Sequence, residues 1–525
     1  MNLLISQVGT FTAPNVNWDI LMPVIVVLGG GVIGVLIEAF APRSARRTLN
    51  IIWTGLVLIA ALVLAAMQWV SAFVAPQITG QFISDTWSTS LQVILILVGM
   101  LSLLVMADRT GAGDSDFAAQ PADRPGSGEE SLSIAKKYHR SEYFPLALFS
   151  LGGMMVFPAT ESLLTMFVAL EVMSLPLYIL AATSRRRRGQ SQEAALKYFI
   201  LGAFASGFFL MGAALLFGYS GGSLDFSVIA AAVPFANNME WLLLVGVFFV
   251  MVGLLFKVAA VPFHAWTPDV YTGAPTSVTG FMAAGVKIAA FGAMLRFYQI
   301  VVGHLQWDFR MLFAVVAAAT IIVGTVAGLV QKDIKRLLAF SSIAHAGFLL
   351  IGVISLAVGS AGSIAFYLLA YGIATVGAFG VVTLVRYKSA DGAIGGQATS
   401  LEAWKGLGRR SPLLAGAMTI FLLSFAGIPL TSGFIGKFVV FADGIDGGLG
   451  WLVGIALAAS AATAVFYFRV ISYMFLQKPT QSVAAVDSEG LSAAAIFIAA
   501  VFTVLLGILP GPVLSVLSDI TIALP

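Results

Sequence analysis

The chain has 525 residues, of which 59% are hydrophobic and only 10% are charged, and its formal net charge is +3. Soluble globular proteins are about half apolar and about a quarter charged, and disordered chains combine low hydrophobicity with high charge. The composition therefore excludes both classes and predicts an all-α polytopic membrane protein. Because the sequence has no cysteine and only four histidines, it predicts no disulfide, no iron–sulfur cluster and no metal site.

Apolar stretches of about 20 residues, the length that crosses a bilayer as a helix, predict about fourteen transmembrane helices. In chain order they are expected at 21–41, 50–74, 87–107, 143–159, 160–182, 194–218, 240–262, 276–298, 309–330, 336–358, 362–386, 411–440, 449–475 and 492–518. The first three form an N-terminal segment, 1–107, and the last belongs to a C-terminal segment, 492–525. Residues 108–141 are rich in Gly, Ser, Asp, Pro, Lys and Arg, which predicts a polar cytoplasmic loop.

The placement of the basic residues predicts how the chain crosses the membrane. With the N-terminus outside, most of the 28 basic residues fall in inner loops, as the positive-inside rule requires. These inward residues are Arg43, Arg46, Arg47, Arg109, Arg124, Lys136, Lys137, Arg140, Arg185, Arg186, Arg187, Arg188, Lys332, Lys335, Arg336, Arg386, Lys388, Lys405, Arg409, Arg410 and Lys478. Arg296 and Arg310 are expected on the outer side, as are both termini. The run from Arg185 to Arg188 is predicted to fix the topology and attract lipid headgroups rather than bind nucleic acid.

The remaining charges inside the apolar stretches indicate an ion path. They are Glu171, Lys197, Lys257, Lys287, Lys437 and Arg469. An ionised side chain in the bilayer costs a few kcal/mol, so such residues face the bundle interior and pair with one another. Lys197 follows Glu193 by four residues, which favours a structural ion pair at the inner interface. Arg469 lies near an inner helix end and is predicted to snorkel.

Two apolar segments, centred on Pro262 and Pro429, are too long for simple spans. Each runs for about 30 residues, or roughly 45 Å as a helix, against a hydrocarbon core of about 30 Å. Proline removes a backbone donor and breaks the helix, and Gly433 loosens the second segment further. Lys257 lies near the first break and Lys437 near the second. One broken helix in each half of a membrane chain is typical of ion carriers built from repeats.

Six motifs occur in the order ALEVMSLPLYIL (169–180), EAALKYFILGAFASGF (193–208), PFHAWTPDVYTGAPTSVTGFMAAGVKIAAF (262–291), IKRLLAFSSIAHAGFLLIG (334–352), YLLAYGIATVGAFG (367–380) and FLLSFAGIPLTSGFIGKF (421–438). They resemble the subunit N family of bacterial NADH:quinone oxidoreductase, or respiratory complex I, whose mitochondrial counterpart is subunit 2. This family belongs to the antiporter-like subunits. The resemblance covers about 142–475, and the loop 108–141 is longer and more polar than the family leads us to expect.

The resemblance implies a fold of fourteen helices with two inverted five-helix repeats, here 143–298 and 309–475, each carrying a broken helix. It implies a proton-translocating subunit of the membrane arm, and so part of a redox-driven translocase. NADH, FMN, iron–sulfur clusters and a quinone would bind other subunits, with no cofactor on this chain. The expected partners are other membrane-arm subunits, including a neighbouring antiporter-like subunit, and membrane lipids. The expected location is the bacterial plasma membrane.

The family's path residues match Glu171, Lys257, Lys287 and Lys437 position by position. Burial disfavours a charged lysine and a nearby carboxylate favours it, so a pair formed by Glu171 and Lys257 would load or release a proton as its separation changes. Lys287 would pass the proton laterally, and Lys437 would be the exit group. His345 is either a relay between these two lysines or a neutral histidine satisfied by a hydroxyl.

Two alternatives stay open at this level. In one, Lys257 and Lys437 are structural lysines that cap the carbonyl groups freed at the breaks. In the other, the chain is a subunit of a multi-subunit cation/proton antiporter. The segment WTPDVYTGAP (266–275) favours the complex I subunit, since related antiporter subunits usually carry a WLPDA-like string there.

Overall fold

The described part of the chain is almost entirely helical. The computed structural model describes residues 16–109, 115–118, 127–136, 141–185, 187–234, 239–388, 394–479, 483–485 and 490–523. Much of the predicted loop 108–141 lies outside the described residues, including Arg124, Lys137 and Arg140, and so does Arg186.

Within these ranges, twelve helices are long and apolar enough to cross a membrane, and the shorter apolar helices Tyr143–Ala159 and Pro412–Ala426 complement them. The helices are α1 (Trp18–Phe40), α2 (Arg46–Ala72), α3 (Thr86–Ala107), α4 (Gly128–Ala135), α5 (Tyr143–Val156), α6 (Leu163–Ala181), α7 (Arg188–Tyr219), α8 (Phe226–Ala232), α9 (Glu240–Val258), α10 (Trp266–Gly273), α11 (Thr276–Ile300), α12 (Gln306–Leu329), α13 (Ile334–Ser355), α14 (Ser360–Leu384), α15 (Leu407–Arg410), α16 (Pro412–Ala426), α17 (Ser432–Asp446), α18 (Gly450–Leu476), α19 (Leu491–Ile508) and α20 (Gly511–Ser518). Each of the predicted spans coincides with one of these helices or with a pair of them, so the predicted fold class is confirmed.

Among the described residues, two small antiparallel sheets lie between the helices. β1 (Gln77–Thr79) pairs with β2 (Phe82–Ser84) in the connection from α2 to α3. β3 (Val385–Lys388) continues directly from α14 and pairs with β4 (Ile394–Gln397) and β5 (Val483–Ala485). The sequence analysis predicted neither sheet, because strands of three or four residues carry too little periodicity to be recognised.

Helices α11, α13 and α14 form the centre of the bundle. Their most apolar stretches are 100% buried, whereas only 33% of the corresponding stretch is buried in α2 and α18. The outer helices expose large apolar side chains such as Ile52, Phe204 and Phe497. In a soluble protein such a surface would mark a binding site, but on a bundle of this length it is the face that meets lipid.

The central helices belong to two consecutive sets of five spans. The first set is α5, α6, α7, α9 with α10, and α11, and the second is α12, α13, α14, α16 with α17, and α18. The fourth member of each set is broken. Because five is an odd number, the second set enters the membrane from the opposite side, so the two repeats are inverted.

The first break interrupts the chain between α9 and α10. α9 ends at Val258, and Ala259 has a left-handed backbone with φ 64°. The Val261–Pro262 peptide bond is cis, and the helix resumes at Trp266. Pro262, which the sequence marks as a helix breaker, therefore lies in this non-helical stretch.

The second break separates α16 from α17. α16 ends at Ala426, and Gly427 adopts φ 80°, a conformation that favours glycine. Pro429 lies in the non-helical stretch that follows. Gly433 lies in the first turn of α17, where an added Cβ would collide with the backbone carbonyl of Ser424. Its role is thus close packing of the two half-helices, whereas the sequence analysis expected it to loosen the segment.

Candidate functional site

Lys257 lies in the last turn of α9, at the edge of the first break, and is only 1% exposed. Its Nζ donates a hydrogen bond to the Ser174 hydroxyl at 2.8 Å and lies 3.5 Å from the Tyr178 hydroxyl, and both partners belong to α6. The ring centroids of Tyr178 and Tyr198 are 5.7 and 5.8 Å from the same nitrogen. Hydroxyl groups and aromatic rings therefore hold this ammonium group by hydrogen bonding and cation–π attraction.

Glu171 lies one turn before Ser174 on α6 and is partly buried. Its Oε1 accepts a hydrogen bond from the Ser206 hydroxyl of α7 at 2.5 Å. Glu171 interacts electrostatically with Lys257, but in the described part of the chain the two groups are not in direct contact as an ion pair. The opposed pair expected from the sequence is therefore a near pair, with Ser174 bonded to the lysine in place of the carboxylate.

Lys287 lies in the middle of α11 and is 2% exposed. Its Nζ donates to the carbonyl oxygen of Val258 at 3.2 Å, and Val258 is the last residue of α9. The same nitrogen donates to the carbonyl oxygen of Ser342 on α13. Lys287 thus connects the first break, next to Lys257, to a helix of the second repeat.

Hydroxyl groups surround His345 in the middle of α13. Its Nδ1 is hydrogen-bonded to the Tyr367 hydroxyl at 2.7 Å, and its Nε2 lies 3.5 Å from the Tyr467 hydroxyl. Tyr467 is also hydrogen-bonded to the Ser341 hydroxyl. His345 interacts electrostatically with both Lys287 and Lys437. Both interpretations of His345 are compatible with this geometry, since hydroxyls satisfy the ring and both lysines interact with it electrostatically.

Lys437 lies on α17 and is 5% exposed. Its Nζ donates to the carbonyl oxygens of Phe425 and Ala426 at 2.8 and 3.0 Å, and to the Ser460 hydroxyl of α18 at 2.8 Å. Phe425 and Ala426 are the last residues of α16, so these are the carbonyls freed at the second break. Lys437 therefore caps the end of α16, which is the structural role that the sequence analysis kept as an alternative.

Three cations differ in detail from the sequence-based expectation. Lys197 forms the expected pair with Glu193 at 2.7 Å, and it also reaches Asp269 at 2.8 Å. Arg469 was expected to snorkel, but its guanidinium caps the end of α12 by donating to two backbone carbonyls at 2.8 Å each. Arg296 was expected on the outer side, and it lies near the end of α11 with 0% exposure, bound to Asp85 at 2.8 Å.

Lys335 is a buried cation that the sequence analysis assigned to a loop. It lies in the first turn of α13, is 2% exposed, and donates to the carbonyl of Ala274 at 2.7 Å. It lines a small polar cavity of about 30 Å³ together with Asp116 and Arg187. Its place at a predicted helix start resembled that of an ordinary interfacial lysine, so no signal in the sequence distinguished it.

The amino-acid sequence is similar to those of known proteins. The family described as "NADH:quinone oxidoreductase/Mrp antiporter, TM" matches residues 160–463. A protein named NADH-quinone oxidoreductase subunit N in Beutenbergia cavernae is 49% identical, over 97% of this chain and 99% of its own length. A protein of the same name in Acidothermus cellulolyticus is 46% identical, over 96% of this chain and 95% of its own.

Solved structures show the same arrangement of helices. A chain of respiratory complex I from Thermus thermophilus, determined with bound aureothin, superposes with a TM-score of 0.75 at 33% identity. The match covers 95% of this chain and 100% of that one. A chain of the Mrp complex from Dietzia sp. DQ12-45-1b gives a TM-score of 0.78 at 20% identity, over 96% and 97% of the two chains, and shows likeness of fold.

Proposed function

Because the chain belongs to the NADH-quinone oxidoreductase subunit N family of antiporter-like membrane proteins, we propose that it moves protons through its row of buried polar groups. The row comprises Glu171, Lys257, Lys287, His345 and Lys437. As a subunit of the NADH:quinone oxidoreductase membrane arm, it would be driven by redox chemistry on partner subunits, where NADH, FMN, iron–sulfur clusters and quinone bind.

One observation carries this proposal: three lysines are buried in the bundle without a counter-ion. Lys257, Lys287 and Lys437 are at most 5% exposed, and none forms an ion pair with a carboxylate in the part of the chain that the structure describes. An ionised lysine in a bilayer is costly, and its deprotonation relieves that cost. Groups whose charged and neutral forms are close in free energy are those that can pass a proton on.

The order of the groups gives a direction along the membrane. A proton would be loaded where Glu171 lies near Lys257 and would pass to Lys287 across the first break. It would then cross the His345 region and leave from Lys437 at the second break. A change in the separation of Glu171 and Lys257, or a charge arriving from a neighbouring antiporter-like subunit, would set the loading step.

The surroundings of the protein follow from the same family. We place the chain in a bacterial plasma membrane, among other membrane-arm subunits and lipids, with both termini on the outer side. The positive-inside rule supports this orientation, because the loops that then face the inner side carry most of the basic residues. The loop around Arg185 and Arg187 would face anionic lipid headgroups on the inner side.

Replacement of Lys257 by Met in the assembled complex tests the proposal. We expect proton pumping in proteoliposomes to be abolished while the subunits still co-purify. Lys478→Met is the matched control, because Lys478 is an exposed lysine outside the helices. Undiminished pumping by Lys257→Met would contradict a path through this residue.

Co-purification separates the proposal from the cation/proton antiporter alternative. In native membranes, we expect flavin and iron–sulfur proteins to accompany a tagged form of this chain. Recovery of the chain with other antiporter-like subunits but without flavin would instead favour the antiporter.

A further inference from the structure

A row of hydrogen-bonding side chains crosses the interior beside His345. It runs from the Ser341 hydroxyl to the Tyr467 hydroxyl, then to His345 Nε2, and from His345 Nδ1 to the Tyr367 hydroxyl. All four residues are at most 2% exposed. They come from three helices, α13, α18 and α14, so the row exists only when the second repeat is folded around its centre.

Each member of this row can both donate and accept a hydrogen bond. A hydroxyl group has one donor and two acceptor positions, and a neutral imidazole has one nitrogen of each kind. The row can therefore be oriented in either direction, with every donor pointing one way or the other. Ionised carboxylates only accept and ammonium groups only donate, so a row of either kind would not have this property.

Each end of the row lies close to a residue that contacts a buried lysine or precedes it in the chain, and the two lysines are different ones. Ser341 is followed in the chain by Ser342, whose carbonyl accepts a hydrogen bond from Lys287. At the other end the ring of Tyr367 packs against Gly436, where an added Cβ would lie 2.6 Å from the ring. Gly436 directly precedes Lys437.

We propose that Tyr467 and Tyr367 are proton-carrying residues, which together with Ser341 and His345 form the lateral connection between the surroundings of Lys287 and those of Lys437. This inference rests on the proposed function, and it assigns the step to two hydroxyl groups to which the sequence analysis gave no role. Tyr467 on α18 lies outside the six motifs, and Tyr367 on α14 begins one of them.

The proton transfer balances along the row. A proton that reaches the Ser341 hydroxyl forms a new O–H bond there, while the original proton of that hydroxyl passes to Tyr467. Tyr467 passes its own proton to Nε2 of His345, and the proton on Nδ1 passes to Tyr367, which releases one toward Lys437. One proton enters and one leaves, no member keeps a charge, and every donor has reversed its direction.

The contact between Tyr467 and His345 is the step that limits the row. At 3.5 Å it is at the outer limit of a hydrogen bond, whereas His345 and Tyr367 are 2.7 Å apart. Since Tyr467 lies on α18 while Ser341 and His345 lie on α13, a small shift between these helices would change both contacts of Tyr467, and the longer one, to His345, would be lost first. The row is then continuous or interrupted according to the packing of α18.

The test is Tyr467→Phe in the assembled complex, which removes one hydroxyl and keeps the ring that packs against Phe425 and Phe466. We expect NADH-driven proton pumping per electron to fall to the level of Lys437→Met, with unchanged assembly. Tyr473→Phe is the control on the same helix, because the Tyr473 hydroxyl donates to the exposed Glu402, at 3.3 Å, away from the row.

Tyr367→Phe provides a second, independent variant, and it decides the question if Tyr467→Phe lowers the amount of assembled complex. Because the groups act in series, the double variant should pump no less than either single variant. If Lys437→Met fails to pump while both tyrosine variants pump as the parent does, the inference is wrong and the proposed function stands. If Lys437→Met itself pumps normally, the proposed function is the one that fails.

Discussion

The ammonium group of Lys287 in α11 donates a hydrogen bond to the carbonyl oxygen of Val258, the last helical residue before the first break, at 3.2 Å. Val258 directly follows Lys257 in the chain. The environment of one buried lysine is thus tied, through one backbone group, to the position of the other. Any movement of the end of α9 changes both lysines at once.

Lys287→Met should therefore affect stability as well as transport. The substitution removes the donor to the carbonyls of Val258 and Ser342, and each buried acceptor left unpaired costs about 1–3 kcal/mol. We expect a lower thermal unfolding temperature of the purified complex and a loss of pumping. Lys332→Met, at an exposed lysine on the connection to α13, should change neither. A variant with the parent's unfolding temperature would show that the two bonds contribute little.

Glu171→Gln separates the charge of this side chain from its hydrogen bond. Glutamine has nearly the same shape and can still accept the bond from Ser206, but it cannot take up or release a proton. We expect NADH-driven proton pumping to fall severalfold, with no loss of assembled complex. Glu193→Gln changes an exposed carboxylate that pairs with Lys197, and serves as the comparison. Equal pumping by the two variants would count against a role for Glu171.

The buried pair of Arg296 and Asp85 should be a point of structural sensitivity. The guanidinium reaches both carboxylate oxygens at 2.8 Å and the carbonyl of Pro158 at 2.8 Å, while Asp85 also accepts from the backbone of Ala523. Removing one partner of a buried ion pair leaves an isolated charge and costs about 3–5 kcal/mol.

Arg296→Leu alone is therefore expected to lower the yield and the unfolding temperature of the complex. The double variant with Asp85→Leu should recover part of that loss, because it removes both charges together. Size-exclusion chromatography and thermal unfolding measure both effects. If the double variant is as damaging as the sum of the single ones, the loss comes from packing rather than charge.

Gly433→Ala should disturb the second break. An added Cβ at Gly433 would meet the backbone carbonyl of Ser424, so α16 and α17 would have to move apart. That movement would displace Lys437 from the carbonyls it caps, and we expect both thermal stability and pumping to decrease. Gly416→Ala, in α16, places its Cβ in open space and should be tolerated. Equal behaviour of the two variants would mean that the break adapts without loss.

The positions of the helices were predictable because crossing a bilayer requires long apolar stretches, and the breaks were predictable because proline cannot continue a helix. The partners of the buried charges were not. Lys257 bonds to Ser174, which is 83 residues away in the chain, and Lys287 bonds to Ser342, which is 55 residues away. Such pairings depend on how helices cross, which hydropathy does not encode.

Two further differences have the same physical origin. Arg296 lies near the end of an apolar stretch, and only the fold shows that Asp85, the N-cap residue of α3, is its partner. Tyr367 and Tyr467 count as hydrophobic residues in any composition analysis, so their hydroxyl groups gave no signal. A polar atom on an apolar ring becomes informative only when its partner is known.

The three central helices, α11, α13 and α14, are buried inside the protein along their most apolar stretches. Lys287, His345 and Tyr367 all lie on them. The surroundings of these groups are therefore other protein atoms, and the amino-acid sequence determines the polarity of those surroundings. A change in the fatty acids or headgroups of the membrane would alter the surroundings of the outer helices and leave those of the three central helices unchanged.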